Sequence, residues 1–370
     1  MKKEKQYRFW IIITVILIVI AFLLFQKYYG FGDKDDIVFY SLQSADEKVN
    51  EVFPTDRITT LEDGLSTVRY DEDYGFDEFI NQGGASSDEE LVSYISKQVL
   101  SGNVSLSVQK IPFGCSTLSV NSEEGQLFGR NFDWQNSEAL IILSHTDGNY
   151  ASISTVDMDF ITSGTSFDLN SLPDSIRSAV AMYAPLDGMN EKGLAVSVNM
   201  IQDNEAIDQN TLKPNLTTTT AIRLLLNKAA NIDEAIELLN QYDMHSLMNM
   251  MVYFALADAS GKSVVVEYID NEMYVKETPA VTNFYLTEGE KYGIGTSQSH
   301  ERYDILMKAY DNNEIHSMVD MRDALDSVSK DNFGEFESTE WSIVFNLQSG
   351  EVKYYHRENY QNCYYFCLNE

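Results

Sequence analysis

Two segments in the middle of the chain alternate between apolar and polar positions in the manner of strands. The first is Gly114–Val120, and the second, Leu127–Trp134, follows after a polar segment that is typical of a turn. We therefore predict a β-hairpin that turns at residues 122–124. Folding about that turn places Cys115 opposite the segment 130–133, so that a thiol lies beside a guanidinium and a carboxylate.

The remaining pattern indicates short strands interrupted by pairs of helices. Capping-box sequences, in which a serine precedes an acidic residue by three positions, predict helices that begin at Ser44 and Ser87. Further helices are expected over 218–230, 232–241, 299–311 and 315–329. Strands are expected over 65–70, 139–144, 150–154, 193–200, 251–257, 263–270, 273–276, 280–285, 341–347 and 352–356. We expect residues 158–185 to be irregular loops over the site, and since no linker divides 33–370, we predict one layered α+β domain.

Residues 9–25 form an uncharged, continuously apolar run that is just long enough to span a bilayer as a helix. Basic residues precede the run and acidic residues follow it, which predicts that the segment 1–8 is cytoplasmic and the remainder extracytoplasmic. A cleaved signal peptide is the alternative, although the residues after the run offer no small-x-small cleavage site. We therefore expect an uncleaved signal anchor in the cell membrane, followed by a polar tether at 26–36.

The chain is strongly acidic, with a formal net charge of −31 over 370 residues. Residues 1–30 carry five of the basic residues and one acidic residue, so the remainder has a net charge of −35. Such a surface repels nucleic acid, which excludes DNA and RNA as partners. An apolar fraction of 44% supports an ordinary core, and the sequence leaves open whether the chain forms a homo-oligomer.

The chain has three cysteines and five histidines, which limits its disulfide and metal chemistry. Cys363 and Cys367 would lie roughly 13 Å apart in a strand, beyond disulfide reach, so we expect free thiols there. No C-x-x-C or H-E-x-x-H spacing occurs, and the histidines are scattered. We therefore expect neither a metal nor another cofactor.

Cys115 is a candidate nucleophile, although a lone cysteine is more often a small buried apolar residue. Arg130 favours the thiolate electrostatically, and Asp133 can orient a cationic or hydrogen-bonding group. None of the histidines can be placed beside the thiol as its base. A cysteine that becomes the first residue of its chain has its own base, because an α-amine has a pKa of about 7.7–8.0. Gly114 leaves room for a cut before Cys115, which would free that amine.

The sequence Gly-Cys-Ser-Thr-Leu-Ser-Val, followed by Phe-Gly-Arg-Asn-Phe-Asp-Trp, resembles the linear amide C–N hydrolases of the N-terminal nucleophile superfamily. These include choloylglycine hydrolases, penicillin V acylases, acid ceramidase-like amidases and acyl-coenzyme A:6-aminopenicillanate acyltransferases. The resemblance extends from about Leu61 to the carboxyl terminus, and it implies a four-layer αββα sandwich and a small-molecule N-acyl amide substrate. It also implies that Cys115 is the nucleophile, that its freed amine is the base, and that autocatalytic cleavage occurs after Gly114.

The resemblance implies roles for five further residues. Arg130 and Asp133 resemble the pair that sits beside the thiol and the amine, and Asn199 resembles the side-chain donor of the oxyanion hole. Asn283 resembles the residue that positions the amine and the reacting carbonyl, and Arg302 resembles the arginine that supports the site from a helix start. The structural alternatives are an ion pair between the first two residues, turn positions for the two asparagines, and an exposed helix charge for the last.

The position of the cysteine departs from that in choloylglycine hydrolases, where it follows the initiator methionine almost directly. Here 114 residues precede it, as in the acyltransferase and ceramidase-like branches. We therefore predict a propeptide-like small subunit, 37–114, that stays associated with a catalytic domain, 115–370. The expected function is extracytoplasmic amide hydrolysis through a thioester. Transfer of the acyl group to an amine and an inactive, surface-anchored binding module are the alternatives.

Overall fold

The computed structural model describes residues 47–100, 114–135, 137–162, 171–203, 205–331 and 337–369 of the chain. The predicted cytoplasmic segment, anchor and tether (1–8, 9–25 and 26–36) lie outside the described residues, as does Ser44. Within the described ranges, no helix combines the length and the apolar character that a membrane crossing requires.

Short strands and helices alternate along the described residues. The strands are β1 (Lys48–Glu51), β2 (Thr59–Glu62), β3 (Leu65–Arg69), β4 (Gly114–Ser122), β5 (Gly125–Trp134), β6 (Ala139–Ser144), β7 (Ser152–Asp157), β8 (Asp187–Asn190), β9 (Ala195–Met200), β10 (Asn215–Thr217), β11 (Asp243–His245), β12 (Val252–Ala257), β13 (Ser263–Ile269), β14 (Glu272–Glu277), β15 (Ala280–Val281), β16 (Ser338–Asn346), β17 (Glu351–His356) and β18 (Asn362–Cys367). The helices are α1 (Phe76–Asn81), α2 (Asp88–Gln98), α3 (Met158–Thr162), α4 (Asp174–Ala181), α5 (Thr218–Lys228), α6 (Ile232–Leu239), α7 (Ser297–Asp311) and α8 (Met318–Asp326). A short 3₁₀ turn covers Leu247–Asn249.

Most of the strands belong to two large sheets. Sheet A has the order β1-β18-β17-β16-β5-β4-β15, and sheet B has the order β14-β13-β12-β9-β8-β7-β6-β3-β2. Neighbouring strands are antiparallel, except that β1 pairs with β18 and β3 pairs with β6 in parallel. Strands β10 and β11 form a separate parallel pair. This mixture of antiparallel sheets and helices confirms the predicted α+β class.

The inner faces of the two sheets pack against each other, and helices cover their other faces. One buried apolar cluster joins Cys115 and Phe132 of sheet A to Val198 of sheet B. A separate cluster lies between sheet A and helices α7 and α8. There Gly129 lets α8 approach closely, because a Cβ at this position would lie 2.6 Å from Sδ of Met321. Helix α5 packs on β8 and β9 of sheet B. The β4–β5 hairpin therefore lies in an interior layer.

The predicted central hairpin is confirmed, with a turn at residues 123 and 124. Most of the other predicted elements are present with somewhat different bounds. The strand expected over 150–154 is β7, two to three residues further along the chain, and the strand expected over 280–285 is limited to β15. Helices α2, α5, α6, α7 and α8 all fall on predicted helices. Periodicity thus located the elements better than it located their ends.

Two predictions from local sequence are wrong. The helix predicted from Ser44 does not extend over residues 48–51, which form β1 because they pair with β18 near the other end of the chain. The segment 158–185, predicted as irregular loops, contains helices α3 and α4 in its described part. Residues 178–181 of α4 are buried, so packing stabilises a helix that the local pattern did not indicate.

Candidate active site

Cys115 lies in β4 directly opposite Phe132 of β5, and Gly114 lies opposite Asp133. The side chain of Cys115 is completely buried. Two strands joined by a tight turn have a fixed register, so the hairpin alone brings the thiol to the segment 130–133. The polar residues around it come from several other elements.

Arg130 connects the thiol to sheet B. Its Nη2 lies 3.6 Å from Sγ of Cys115 and donates to the carbonyl oxygen of Val198 at 3.0 Å. Its Nη1 forms a fully buried ion pair with Asp187 at 2.6 Å and also donates to the carbonyl oxygen of Leu186. The guanidinium therefore has little freedom to move away from the sulfur.

Asn283 and Arg302 hold the backbone of Cys115. Oδ1 of Asn283 accepts a hydrogen bond from the backbone nitrogen of Cys115 at 3.0 Å and another from Nη2 of Arg302 at 2.7 Å. Nη1 of Arg302 donates to the carbonyl oxygen of Cys115 at 2.9 Å. Nδ2 of Asn283 donates to the carbonyl oxygen of Met200 at 2.7 Å, which fixes the orientation of the amide. The nitrogen and the carbonyl of one residue are thus both held by buried side chains.

Asp133 is completely buried and has three polar neighbours. Oγ1 of Thr339 donates to its Oδ1 at 2.8 Å, while Nη1 of Arg302 and Nζ of Lys330 lie 3.3 and 3.4 Å from its Oδ2. Lys330 also pairs with Glu337 at 2.8 Å. Counting the arginine–aspartate pair described above, the site holds three cations and three carboxylates. This balance limits the cost of burying so many charges.

Asn199 in β9 carries a buried donor that is not used. Its Nδ2 has no hydrogen-bond partner among the residues that the structure describes, whereas its Oδ1 accepts from Oγ of Ser197 at 2.9 Å. The preceding residue, Val198, has its carbonyl oxygen 3.6 Å from Sγ of Cys115. A buried donor without a partner is unfavourable, so this amide is available to an acceptor atom of a ligand.

Burial raises the pKa of the Cys115 thiol to about 11 in the intact chain. The carboxylate of Asp133 also raises the pKa, while the guanidinium groups of Arg130 and Arg302 lower it by less than burial raises it. The thiol is therefore protonated near neutral pH, and it needs a base in order to react as a nucleophile.

The histidines do not supply that base. In the described part of the chain no histidine is hydrogen-bonded to Cys115. Nε2 of His300, for example, lies 2.9 Å from the carbonyl oxygen of Gly293. The two ring nitrogens of His245 are hydrogen-bonded to Asp208 and Asn215. The same described residues contain no group of three or more His, Cys, Asp or Glu that could hold a metal ion.

Contacts join five of the six residues that the sequence singled out, and the catalytic roles of all six stay predictions. The five are Cys115, Arg130, Asp133, Asn283 and Arg302. The sixth, Asn199, follows Val198, whose carbonyl oxygen lies 3.6 Å from the sulfur. The structure adds Asp187 and Lys330, which sequence analysis did not identify. Asp187 lies in the short strand β8, and Lys330 lies between α8 and β16, so neither belongs to the motif around the cysteine. The signal for Asp187 in the sequence is a charged residue among apolar positions, whereas Lys330 stands among polar residues and has no such signal.

An apolar cavity that is partly open to solvent adjoins the site. Leu186, whose carbonyl oxygen accepts from Arg130, forms part of its wall, and so does Phe160, whose ring packs edge-on against Trp134 with centroids 4.8 Å apart. Helix α2 supplies another wall from the part of the chain before Cys115. The lining also includes Leu91, Ile95, Val180, Tyr183 and Met248. Such a cavity suits an apolar group of a ligand.

The free cysteines agree with the sequence prediction. Cys363 is buried and Cys367 is half-buried, and both are free thiols in β18. Their separation along one strand keeps the two sulfurs apart. The thiol at position 115 therefore differs from the other two in its polar surroundings rather than in its oxidation state.

Comparisons with known proteins find a matching family model, a similar sequence and similar solved structures. The family model described as acyl-coenzyme A:6-aminopenicillanic acid acyl-transferase matches residues 120–361. A penicillin V acylase from Pectobacterium atrosepticum is 29% identical over 104 residues, a match that spans 25% of this chain and only 28% of that relative's length. A mutant of the conjugated bile acid hydrolase from Clostridium perfringens superposes with a TM-score of 0.53 at 16% identity over 69% of this chain and 92% of that one. Another variant of that hydrolase gives a TM-score of 0.50 at 16% identity over 69% and 93% of the two chains. These solved structures share the fold.

Proposed function

Because this chain belongs to the acyl-coenzyme A:6-aminopenicillanic acid acyl-transferase family, we propose that it hydrolyses linear, non-peptide amides with the thiol of Cys115 as nucleophile. One observation carries the proposal. The backbone nitrogen and the sulfur of this residue both lie in one buried polar cluster, the nitrogen on Asn283 and the sulfur beside Arg130. An α-amine freed at that position is close enough to take the proton of its own side chain. The penicillin V acylase relative, by its name, supports cleavage of an amide bond.

Self-cleavage between Gly114 and Cys115 activates the enzyme. In the intact chain the nitrogen of Cys115 belongs to a peptide bond and cannot accept a proton. The sulfur adds to the carbonyl carbon of Gly114, the C–N bond breaks, and the thiol proton moves to the departing nitrogen. Water then hydrolyses the resulting thioester, which leaves a carboxylate on Gly114 and restores the thiol beside a free α-amine.

The freed amine then serves each turnover. It accepts the proton of Sγ as the sulfur attacks the carbonyl carbon of the substrate amide, and the unpartnered Nδ2 of Asn199 donates to the oxyanion that forms. The same proton passes to the departing amine, which leaves an acyl thioester on the enzyme. Water adds to the thioester, and the acid is released as the thiol is restored. Asn283 keeps the α-amine in place through these steps.

The apolar cavity beside the site favours an apolar acyl group in the substrate. Its apolar side chains and its opening to solvent suit an acyl chain or a ring system. Because helix α2 forms one wall, the piece before Cys115 takes part in binding and stays associated after cleavage. The substrate class is therefore an N-acyl amide with an apolar acyl part.

The enzyme acts outside the cytoplasm on a membrane anchor. The apolar run 9–25, with basic residues before it and acidic residues after it, supports this location. Self-cleavage leaves the anchor on the smaller piece, so the catalytic piece remains at the membrane through non-covalent packing alone.

Acyl transfer to an amine is the second candidate function, because the matching family model is named for an acyltransferase. Both functions pass through the same thioester, and only the acceptor differs. Hydrolysis predicts that added amines leave the yield of free acid unchanged. Transfer predicts that a suitable amine diverts most of the acyl group into a new amide.

A screen of N-acyl amides tests the proposed function. The panel includes bile salt conjugates, penicillin V, N-acyl amino acids and N-acyl ethanolamines, each assayed with the full-length protein in detergent and with its Cys115→Ala variant. We expect turnover of at least one substrate with an apolar acyl group by the wild-type protein alone. Equal turnover by both proteins, or none across the panel in a protein that has cleaved itself, would contradict an amidase that uses Cys115.

A further inference from the structure

Lys330 is a deeply buried lysine on the side of the cluster that faces Gly114. Its side chain is 5% exposed, and its Nζ lies 2.8 Å from Oε2 of Glu337 and 3.4 Å from Oδ2 of Asp133. Its backbone is fixed by two hydrogen bonds with Thr339, one from the nitrogen of Lys330 to Oγ1 at 2.8 Å and one from the nitrogen of Thr339 to the carbonyl at 2.9 Å. A lysine is seldom buried to this extent without a specific role or partner.

The same three charged groups press against the Cα of Gly114. A Cβ at this position would lie 2.3 Å from Oε1 of Glu337, 2.6 Å from Nζ of Lys330 and 2.7 Å from Oδ2 of Asp133. Real side chains do not approach so closely, so only glycine fits without displacing the charged groups. The glycine is not needed for its backbone conformation, because Gly114 lies in the regular pairing of β4 with β5.

We propose that Lys330 and Glu337 are positioning residues for self-cleavage, which hold the Gly114 side of the peptide bond that Cys115 attacks and restrict that position to glycine. This inference rests on the proposed function, because it concerns the cleavage that activates the enzyme. Asn283 and Arg302 already hold the Cys115 side of the bond. The pair therefore completes a clamp around the peptide unit.

The lysine has an electrostatic reason to lie between the two carboxylates. Asp133 and Glu337 both face Gly114, and without a cation between them they would repel each other. Lys330 joins them, so that both can lie against the glycine Cα at once. As the C–S bond forms and the C–N bond breaks, the thiol proton passes to the nitrogen of Cys115, and the lysine takes no proton. Its contribution is to keep the carbonyl carbon of Gly114 within reach of the sulfur.

The test follows the rate at which the full-length chain cleaves itself. Wild-type protein and variants are synthesised in a cell-free system with detergent, and the fraction of cleaved chains is followed over time by intact mass. We expect Lys330→Met to slow cleavage by roughly 100-fold, because small displacements of reacting groups have effects of that size, and Lys330→Arg to recover part of the rate. Lys262→Met, which removes a partly exposed lysine paired with Asp233, is the matched control and should cleave at the wild-type rate.

A second pair of variants tests the steric part and the role of Glu337. Gly114→Ala should cleave slowly because its new methyl group meets Glu337, Lys330 and Asp133. Glu337→Gln keeps the size of the side chain but removes the charge that pairs with Lys330, and it should slow cleavage while the melting temperature stays close to that of the wild type. A merely structural role for the pair predicts instead that cleavage slows only where the melting temperature falls. This comparison also decides the proposal should Lys330→Met fail to fold, as judged by its thermal melting.

The outcomes separate this inference from the proposed function. A wild-type chain that never cleaves overturns both. A wild-type chain that cleaves, together with Lys330→Met and Gly114→Ala chains that cleave equally fast, overturns the positioning role and leaves the amidase proposal standing. A Glu337→Gln chain that cleaves at the wild-type rate also overturns the positioning role.

Discussion

Oδ1 of Asn283 lies 3.0 Å from the backbone nitrogen of Cys115 and accepts its hydrogen bond. The two residues are 168 positions apart in sequence, and they meet because β15, which ends at Val281, pairs with β4 beside the cysteine. The contact forms while the nitrogen still belongs to a peptide bond. An amine released at the same place would find Oδ1 of Asn283 already positioned to accept its hydrogen bond. The site that would hold the α-amine is therefore formed before cleavage.

Asn199→Ala should lower kcat far more than its loss of stability explains. Its Nδ2 has no partner among the described residues, so the hydrogen bond that the fold loses is the one that Oδ1 accepts from Oγ of Ser197, while the oxyanion loses its donor. We expect kcat to fall by about 10²–10³ with KM little changed. Steady-state kinetics and a denaturant titration measure the two effects.

Asn190→Ala is the matched control for that prediction. Nδ2 of Asn190 donates to the carbonyl oxygens of Leu226 and Ala229, so its loss leaves buried groups unpaired. We expect this variant to lose about 1–3 kcal/mol of unfolding free energy while its kcat changes little. A reversed pattern, with Asn199→Ala destabilised and still fully active, would argue that Asn199 is structural.

Asp187→Asn should impair both stability and activity. The pair between Asp187 and Arg130 is completely buried on both sides, and removing one charge leaves the guanidinium unpaired. We expect the unfolding free energy to fall by about 3–5 kcal/mol, and kcat to fall because the guanidinium beside the thiol loses its anchor. Denaturant titration and kinetics check this. Asp233→Asn, at an exposed pair with Lys262, should cost at most about 1 kcal/mol and leave kcat unchanged.

The thiol of Cys115 should react differently before and after cleavage. Burial raises its pKa to about 11 in the intact chain, so little thiolate forms near pH 8 and alkylation accelerates only as the pH rises towards 11. In the cleaved chain the α-amine takes the proton, so alkylation should be faster near pH 8. Iodoacetamide labelling of a partly cleaved sample, read by mass spectrometry, compares both forms, and the half-buried Cys367 serves as the internal reference.

The same pKa has a consequence for stability with a definite sign. The folded chain binds the thiol proton more tightly than the unfolded chain, whose ordinary thiol pKa is 9.0. The contribution of this proton to the free energy of unfolding is fully present below pH 9 and is lost as the pH rises through 11.

The labelling experiment has a clear contradicting outcome. Equal labelling of Cys115 in the intact and the cleaved chain at every pH would contradict the assignment of the α-amine as base.

Filling the apolar cavity should shorten the preferred acyl group. Val180 lines the cavity, and Val180→Trp places a large ring in the space that we assign to the acyl chain. We expect kcat/KM for substrates with long or ring-bearing acyl groups to fall by about 10-fold or more, while short acyl groups are still accepted. Val275→Trp on the exposed strand β14 is the control. A parallel loss for short and long substrates would mean that the acyl group binds elsewhere.

The hairpin and its two charged residues were predictable because their signals are local. Alternation and a turn set the register of β4 on β5, and Arg130 and Asp133 follow from that register. Asn199, Asn283 and Arg302 came from the family resemblance, since no local pattern connects them to the cysteine. The contacts of Asn283 and Arg302 with Cys115 depend on how sheet A, sheet B and α7 pack.

Asp187 and Lys330 show why the rest could not be predicted. Asp187 meets Arg130 across the space between the sheets, 57 positions away in sequence, and a single aspartate has no periodicity that announces a partner. The helix predicted from Ser44 was wrong at residues 48–51 for a related reason. A capping-box sequence is a local signal, whereas the pairing of these residues with β18 is long-range. Long-range pairing decided each of these features.

The most direct test of the central claim is the intact mass of the purified full-length protein beside its Cys115→Ala variant. The account predicts two associated pieces of 114 and 256 residues in the wild-type protein, the larger beginning at Cys115, and one intact, inactive chain in the variant. A wild-type protein that hydrolyses an N-acyl amide while residues 114 and 115 remain joined would contradict it.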